Sequence, residues 1–381
     1  MFAISAKFDK LLKYNRHTFI PALIFAFAII GFLSKQNYQE STISIFHWCF
    51  YILSFISLMI LLYFNKSKPV FFVISITLSY ILINYLKKTL GINFVDSEYY
   101  LKLSILLPVN LALFYFIPTG KLLNKQNLYF LFLLLIEVIL IEKLNITIPA
   151  VYAKYASFGL FSAMCIIMFF KNISIGKIGS VYLFYSSLCL AFGFYFSDKP
   201  NALPLFFFSS SLITFTAICL DLYFSIYKDE LTELSSRQSF MMNSTKFPLK
   251  YSLGLVAIDE YDNIKKAFGK NHINDLTQMV TNIICDFQEK ENIYRYSEDE
   301  FVIIFKNESN KEGHNHLEEI RRKVASSNFA LRWRKKPMKL TISASVSEKK
   351  RSDANAYEVL IRTHKALQKT YKFTQNVTTK V

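Results

Sequence analysis

Cysteine is scarce, with 5 among 381 residues, and none stands in a CxxC pair or at metal-ligand spacing. That excludes a small secreted disulfide scaffold and a thiolate metal centre. Cys49, Cys165, Cys189 and Cys219 lie inside apolar runs and read as small buried hydrophobes. Charge is thin in the first 226 residues: 17 Lys/Arg and 8 Asp/Glu give +9, which leaves 27 against 20, or +7, for residues 227–381. No Gly-x-y run or 34-residue period is evident. No small-residue cleavage site follows the basic first 17 residues, so no cleavable signal peptide is expected. What is present is apolar: 52% of the chain is hydrophobic, with 38 Phe and 23 Tyr, and the long runs fall in residues 1–226. That unevenness excludes a disordered chain and a single globular enzyme. It predicts a polytopic membrane protein with a soluble C-terminal domain. In such a chain a net charge of +16 suits an anionic membrane surface, and no nucleic acid partner is expected.

A helix needs roughly 20 apolar residues to cross the hydrocarbon core. Eight runs qualify or come close: about Thr18–Leu33, Ile45–Phe64, Pro69–Leu86, Tyr99–Pro118, Asn127–Ile141, Tyr155–Phe170, Val181–Phe196 and Leu203–Ile226. The fifth is short and contains Glu137. With the N-terminus inside, the cytoplasmic segments hold ten cations, Lys7, Lys10, Lys13, Arg16, Lys66, Lys68, Lys121, Lys125, Lys171 and Lys177. The outer connections hold six, Lys35, Lys87, Lys88, Lys143, Lys154 and Lys199, or seven with Lys102. The positive-inside rule therefore places both termini in the cytoplasm. Asn84, Asn110 and Glu137 are intramembrane polar groups, read either as functional or as helix bridges and interface-reaching side chains. The last span runs on from Leu212 to Leu234 without Pro or Gly, as a signal-transmitting helix or a plain tether.

Past Asp229 the pattern changes. Tyr251–Ile258 has strand length, and Asp262–Phe268 and Ile273–Phe287 have helical spacing. Asn292–Tyr296 and Phe301–Phe305 form a hairpin with an acidic turn. Lys311–Ser326 is helical, Phe329–Trp333 and Met338–Val346 are strands, and Asp353–Tyr371 is a helix with Asp353 as N-cap. The order β-α-α-β-β-α-β-β-α predicts an α/β (α+β) domain built around a ferredoxin-like unit. His314 and His316 sit in a polar stretch, read as solvated loop or metal ligands. The basic run Arg332–Lys336 with Trp333 reads as a half-buried strand edge with its cations outward, against contact with RNA or membrane phosphates.

Three segments carry a resemblance. Asp229-Glu-Leu-Thr-Glu-Leu-Ser-Ser-Arg237 with Phe240 resembles the DxLTGLxNRxxF segment that opens GGDEF domains. Arg295-Tyr-Ser-Glu-Asp-Glu-Phe301 resembles their RYGGDEF turn, and Leu340-Thr-Ile-Ser-Ala-Ser-Val346 is similar to their xTxSxGV strand. The match spans about Asp229–Asn376. It implies a GGDEF-like fold, an antiparallel-containing sheet with flanking helices. The implied activity is condensation of two GTP to cyclic di-GMP by a dimer using divalent metal ions, usually Mg2+.

Such a site needs carboxylates to hold metals against the triphosphate, close backbone approach, and polar readers of guanine. Position by position, this chain departs from that pattern. With Gly269 setting the register, the first metal-binding Asp falls on Ala257, while Asp259 and Tyr261 keep the later positions. The guanine readers fall on Lys265 and Asn274. The turn glycines are Ser297 and Glu298, followed by Asp299, Glu300 and Phe301. The phosphate-contacting Lys and the following Arg fall on Tyr371 and Gln375. The product-inhibition RxxD falls on Gln288 and Glu291 and is absent. Glu298 places a charge beside a would-be triphosphate, a repulsion of roughly 1–4 kcal/mol at contact distance.

The expectation is therefore a membrane all-α bundle of about eight spans over residues 18–226, after a basic cytoplasmic segment 1–17, joined to a cytoplasmic degenerate GGDEF-like domain over residues 227–381. The implied setting is the bacterial inner membrane, with lipid as one partner and a homodimer mate or partner protein as another. No catalytic residue and no cofactor is expected, with Mg2+ the ion if nucleotide activity remains. Asp259 and Asp299 are the residual metal candidates, against the reading of a solvated turn. GTP or cyclic di-GMP is a weak ligand candidate. The competing readings are an active diguanylate cyclase and a membrane scaffold.

Overall fold

The computed structural model describes residues 2–34, 38–89, 98–116, 143, 150–175, 178–330, 337–371 and 374–381. The chain divides into two compact units, Met1–Asp221 and Leu222–Val381.

Seven long helices fill the described part of the first unit: α1 (Phe2–Ser34), α2 (Glu40–Tyr63), α3 (Ser67–Thr89), α4 (Glu98–Phe116), α5 (Ala150–Ile175), α6 (Ile178–Tyr195) and α7 (Ala202–Tyr227), the last crossing the unit boundary. Among the described residues three helices are long and apolar enough to span a membrane: Glu40–Tyr63, Pro69–Lys88 and Ala202–Tyr227. Four more carry shorter apolar stretches, Thr18–Ser34, Tyr99–Phe114, Lys154–Phe170 and Val181–Tyr195. The expected span Asn127–Ile141, with Glu137, lies outside the described residues.

Many of these helices are apolar on every side, as helices in lipid are. On α2, Phe50 and Leu61 are buried while Ile45, Trp48, Ile52, Phe55 and Met59 are exposed. An unbroken apolar stripe of that length is unfavourable in water and suits lipid tails. Pro21 and Pro108 sit inside α1 and α4. Helices in lipid tolerate such residues when neighbours satisfy the freed carbonyl.

Contacts at helix ends fix which ends lie together. Phe32, near the end of α1, packs its ring on Phe196 and Phe206 at 4.8 and 5.6 Å. Tyr100, near the start of α4, donates its hydroxyl to the Phe194 carbonyl at 3.0 Å. Lys154, near the start of α5, pairs with Asp198 at 3.2 Å. These contacts gather the end of α1, the starts of α4 and α5, the end of α6 and the start of α7. At the ends of α2 and α7, Lys66 pairs with Asp221 at 3.2 Å. Between them, Asn84 of α3 donates to the Tyr51 hydroxyl of α2 at 3.1 Å, so it is one of the expected helix bridges. Ser186, Ser210 and Thr214 join α6 to α7 through hydroxyl contacts of 2.7 and 3.1 Å. Asn110 is buried.

The second unit holds a six-stranded mixed sheet, with strands β1 (Ser235–Ser236), β2 (Tyr251–Ile258), β3 (Ile293–Arg295), β4 (Glu300–Lys306), β5 (Ile342–Glu348) and β6 (Thr378–Lys380). Their spatial order is β1-β3-β4-β2-β5-β6. The pairs β3–β4, β4–β2 and β2–β5 are antiparallel, and the two edge pairs are parallel. Helices α8 (Arg237–Asn243), α9 (Tyr261–Phe268), α10 (Lys270–Phe287), α11 (Asn310–Ser326) and α12 (Ala356–Tyr371) cover it.

The central strand β2 is buried along its whole length, which is why it reads as a continuous apolar run. Its alternation still sorts the two faces. Tyr251, Leu253, Leu255 and Ala257 join a core with Phe240 of α8 and Val359, Leu360 and Leu367 of α12. Val256 and Ile258 join the opposite core with Ile264 of α9, Ile273 and Val280 of α10, and Leu317 and Ile320 of α11. Gly254 is needed on that second face: a Cβ there would stand 2.9 Å from Phe305 Cε2 and 3.1 Å from Leu317 Cδ1.

Three expectations are corrected, and a fourth falls partly outside the described residues. Asp353 does not cap α12. The helix starts at Ala356, and the Asn355 side chain accepts from the Tyr357 and Glu358 N–H groups at 3.0 and 3.2 Å. Asp353 is held instead by Arg362, at 2.7 and 3.0 Å, a two-pronged charge pair that outcompetes a cap. The strand expected over Met338–Val346 is formed from Ile342 onward, because its partner β2 ends where Ile258 faces Ile342. Of the strand expected over Phe329–Trp333, the described residues show one bridge, between Phe329 and Met338; its part from residue 331 on and the whole run Arg332–Lys336 lie outside them. His314 and His316 lie in α11, not in a loop. His316 stacks on Phe305 and meets Glu308 at 3.3 Å.

Candidate functional site

The site lies where β2 ends, beside the β3–β4 turn, the start of α9 and the end of α12. Several strands deliver their last residues here, the usual place for polar chemistry on an α/β sheet.

The turn is closed by its own side chains. Ser297 donates to Asp299 Oδ1 at 2.7 Å and accepts the Glu300 N–H at 3.1 Å. A serine hydroxyl mimics a backbone partner in this way, so the turn holds its shape without glycine. Arg295, buried at the end of β3, donates to the Ser297 and Glu298 carbonyls at 3.2 and 2.5 Å. Its other nitrogen faces Asp229 at 3.6 Å, and Asp229 accepts from Thr232 N–H and Oγ1 at 2.8 and 2.7 Å. The two most recognisable sequence segments are thus tied together through one guanidinium. Phe301 is fully buried and anchors the hairpin in the core.

Asp259 is 2% exposed. Its Oδ2 accepts from Thr341 Oγ1 at 2.7 Å and Asn376 N–H at 3.0 Å, and its Oδ1 from Ser343 Oγ at 2.7 Å. Three donors make a buried carboxylate tolerable without a cation. Asp259 therefore stitches β2 to the start of β5 and to the segment leading into β6. Asn376, left-handed at φ 57, also accepts from Arg321 of α11 at 2.6 Å through its side chain.

Ala257 faces Glu300 across the sheet and packs into the core shared with α12. Glu260 adopts φ 54, and its N–H is accepted by the Tyr371 hydroxyl at 3.1 Å. Burial pushes that hydroxyl's pKa up, and the nearby acids Asp259, Asp299 and Glu260 add to the shift. Lys265 of α9 forms an ion pair and hydrogen bond with Glu298 of the turn. The bond holds the Glu298 carboxyl below its ordinary range and the Lys265 ammonium above its own. Lys265 also lies 5.7 Å from the Tyr261 ring. Glu300 meets His364 of α12 at 3.2 Å, and burial raises the carboxyl's pKa against that pairing.

The structure thus brings together Ala257, Asp259, Lys265, Ser297, Glu298, Asp299, Glu300 and Tyr371. Asn274 is half-buried on α10, Gln375 is exposed in the segment before β6, Gln288 ends α10, and Glu291 lies in a short 3-10 turn. Sequence reasoning missed Thr341 and Ser343 as donors to Asp259, although their i, i+2 spacing puts both on one strand face. It also missed Arg295, Asn376 and His364. Among the described residues no group of three or more His, Cys, Asp or Glu converges as a metal site.

The family model described as "Diguanylate cyclase, GGDEF domain" matches residues 226–376. No curated protein matches the chain. Among solved structures, the GGDEF domain of DgcB from Caulobacter crescentus in complex with c-di-GMP is 22% identical. It covers 40% of this chain and 92% of its own, with a TM-score of 0.37. The FimX GGDEF domain from Pseudomonas aeruginosa is 18% identical, covers 41% and 99%, and has a TM-score of 0.37. The diguanylate cyclase SiaD with its activator SiaC, from the same organism, is 14% identical, covers 43% and 65%, and has a TM-score of 0.38. The C-terminal part of this chain, residues 226–376, belongs to the GGDEF domain family.

Proposed function

We propose that the chain is an integral membrane signalling protein whose GGDEF domain is catalytically silent and acts as a binding output module for a nucleotide or a protein. The observation that carries this reading is the Lys265–Glu298 bond. It joins two positions that, by resemblance, should read guanine and admit the nucleotide backbone. Two substitutions that each look damaging alone here satisfy one another. Ala257 offers no carboxylate, and both oxygens of Asp259 accept from protein donors, so these residues do not fit a pair of metal ions at this end of β2. Tyr371 spends its hydroxyl on the Glu260 N–H, where the family carries a phosphate-contacting lysine.

Eight crossings, with both termini in the cytoplasm of a bacterial inner membrane, are part of the same proposal. The helix ends support it. The end of α1 lies with the start of α7, and the end of α2 with the end of α7. The start of α4 and the start of α5 lie at one end of the helices, both beside the end of α6, so the connection from α4 to α5 begins and finishes on opposite sides. An eighth crossing in that connection makes the parity consistent.

The full chain in detergent is incubated with GTP and Mg2+ or Mn2+. The expected result is no cyclic di-GMP above the blank. Product that disappears in Asp299→Ala would mean an active cyclase and sink the silent reading. Calorimetry with GTP and cyclic di-GMP separates a nucleotide-binding module from a scaffold, which would release no heat.

A further inference from the structure

We propose that the contact between α2 and α7 holds a binding site for one water molecule, with the Ser54 and Ser57 hydroxyls donating to it and the Ser211 and Thr214 oxygens accepting from it. The site lies within the first unit, and its depth rests on the membrane reading above. Helices α2 and α7 run side by side in the same direction. Near their starts Phe46 stacks on Phe208 at 5.5 Å and Phe50 meets Phe207 at 5.9 Å, and near their ends Lys66 pairs with Asp221 at 3.2 Å. Between these contacts Ser54, Ser57, Ser211 and Thr214, with Val73 and Ile76 of α3, line a cavity of about 10 Å³. One water needs about that much room. By helical rise the cavity lies roughly 10–14 Å from the Lys66–Asp221 pair, deep in a hydrocarbon core about 30 Å thick.

The four hydroxyls divide evenly. Ser54 and Ser57 are 5% and 2% exposed, and neither makes a hydrogen bond among the described residues, so each has a proton to give. Ser211 and Thr214 give theirs to the carbonyls of Phe208 and Ser210, at 2.8 and 2.9 Å, which leaves each oxygen able to accept. Two donors and two acceptors around one small cavity are the set that a water molecule satisfies with four hydrogen bonds. A cation would use lone pairs alone, and among the described residues no carboxylate lines the cavity to balance its charge. An apolar guest would leave Ser54 and Ser57 unpaired, a cost that lipid does not relieve. Thr214 also meets the Ser186 hydroxyl at 3.1 Å, so the water joins a hydroxyl seam that reaches α6. The seam runs along α7, the helix that crosses into the second unit.

The test uses the full chain in bicelles, unfolded reversibly with dodecyl sulfate. Ser57→Ala and Ser211→Ala are each expected to lower the folded-to-unfolded ratio about two- to tenfold. No hydrogen bond joins Ser57 to Ser211, so a joint effect smaller than the product of the two reports the molecule that they share. Solid-state NMR of the serine-labelled chain in lipid gives the direct reading, with magnetisation expected to pass from water protons to Ser54 and Ser57. A Ser57→Ala chain as stable as the parent or more so would mean an unpaired hydroxyl and overturn the proposal. So would effects that simply multiply, or serines that receive nothing from water. A chain recovered in solution without detergent or lipid would overturn the membrane reading, a result separate from these ratios.

Discussion

At the scale of single residues, the site shows how a carboxylate can serve architecture. Asp259→Asn replaces one acceptor oxygen with a donor group that then faces Thr341, Ser343 or the Asn376 N–H. The expected loss is about 2–3 kcal/mol, the cost of buried polar groups left unpaired, read by thermal unfolding of the C-terminal domain. Ser343→Ala should cost about 1 kcal/mol, since it removes one donor and leaves the others. The Lys265–Glu298 pair is exposed, so breaking it should barely alter stability. Its expected effect is on ligand access: Lys265→Asn with Glu298→Gly should strengthen GTP binding relative to the parent in calorimetry, and unchanged binding would detach the pair from the nucleotide site. Lys265, Glu298 and Tyr371 were each identifiable in the sequence as replacements. That Lys265 reaches Glu298, and Tyr371 reaches Glu260, depends on side-chain geometry across 33 and 111 residues of chain, which no local pattern encodes.

At the scale of elements, the apolar pattern placed β2, α9, α10, the hairpin and α11 to within a few residues. Errors came at the boundaries where a partner decides the outcome. Met338–Val346 lost its first residues because β2 ends at Ile258, and α12 lost its first turn because Arg362 takes Asp353. The short edge strands β1 and β6 were not foreseen. Two or three residues carry no period, and those strands form only because neighbours offer a sheet edge. Packing at the centre gives a sharp expectation. Gly254→Ala pushes a methyl group against Phe305 and Leu317 and should cost about 1–3 kcal/mol by overpacking, measured by denaturant unfolding. On α11, the Arg321 guanidinium holds the Glu318 carboxyl down at about 2, from an ordinary 4.5. A depressed carboxyl stabilises the fold fully above about pH 4.5, and that contribution fades as pH falls toward 2. Glu318→Gln should flatten the acid limb of the stability profile over that window while changing little near pH 2 or below.

At the scale of the whole molecule, the division at Asp221–Leu222 falls inside α7, a few residues before the last residue of the membrane segment read from the sequence, Ile226. The Lys66–Asp221 pair lies near that exit and the Lys154–Asp198 pair at the opposite end of the helices. A cysteine placed at position 199 should react with an impermeant reagent from the outer face only, and a tag at position 381 should be reachable only from the cytoplasmic face. Labelling of both from one side would break the even crossing count. Three helices satisfy span length and composition outright among the described residues.

The sequence by itself determined the uneven two-part composition, with its long apolar runs in the first 226 residues, and the GGDEF family of the C-terminal part. Hydrophobic run length and charge scarcity are composition effects that need no partner, and the family segments keep their local order. It also marked, against the resembled motif, the positions where Ala257, Lys265, Ser297, Glu298 and Tyr371 stand. Only the tertiary structure decided which partners those residues meet. Charge pairing, buried hydrogen bonding and helix-end parity join residues far apart in the chain, so their energies exist only once the fold has brought the partners within reach.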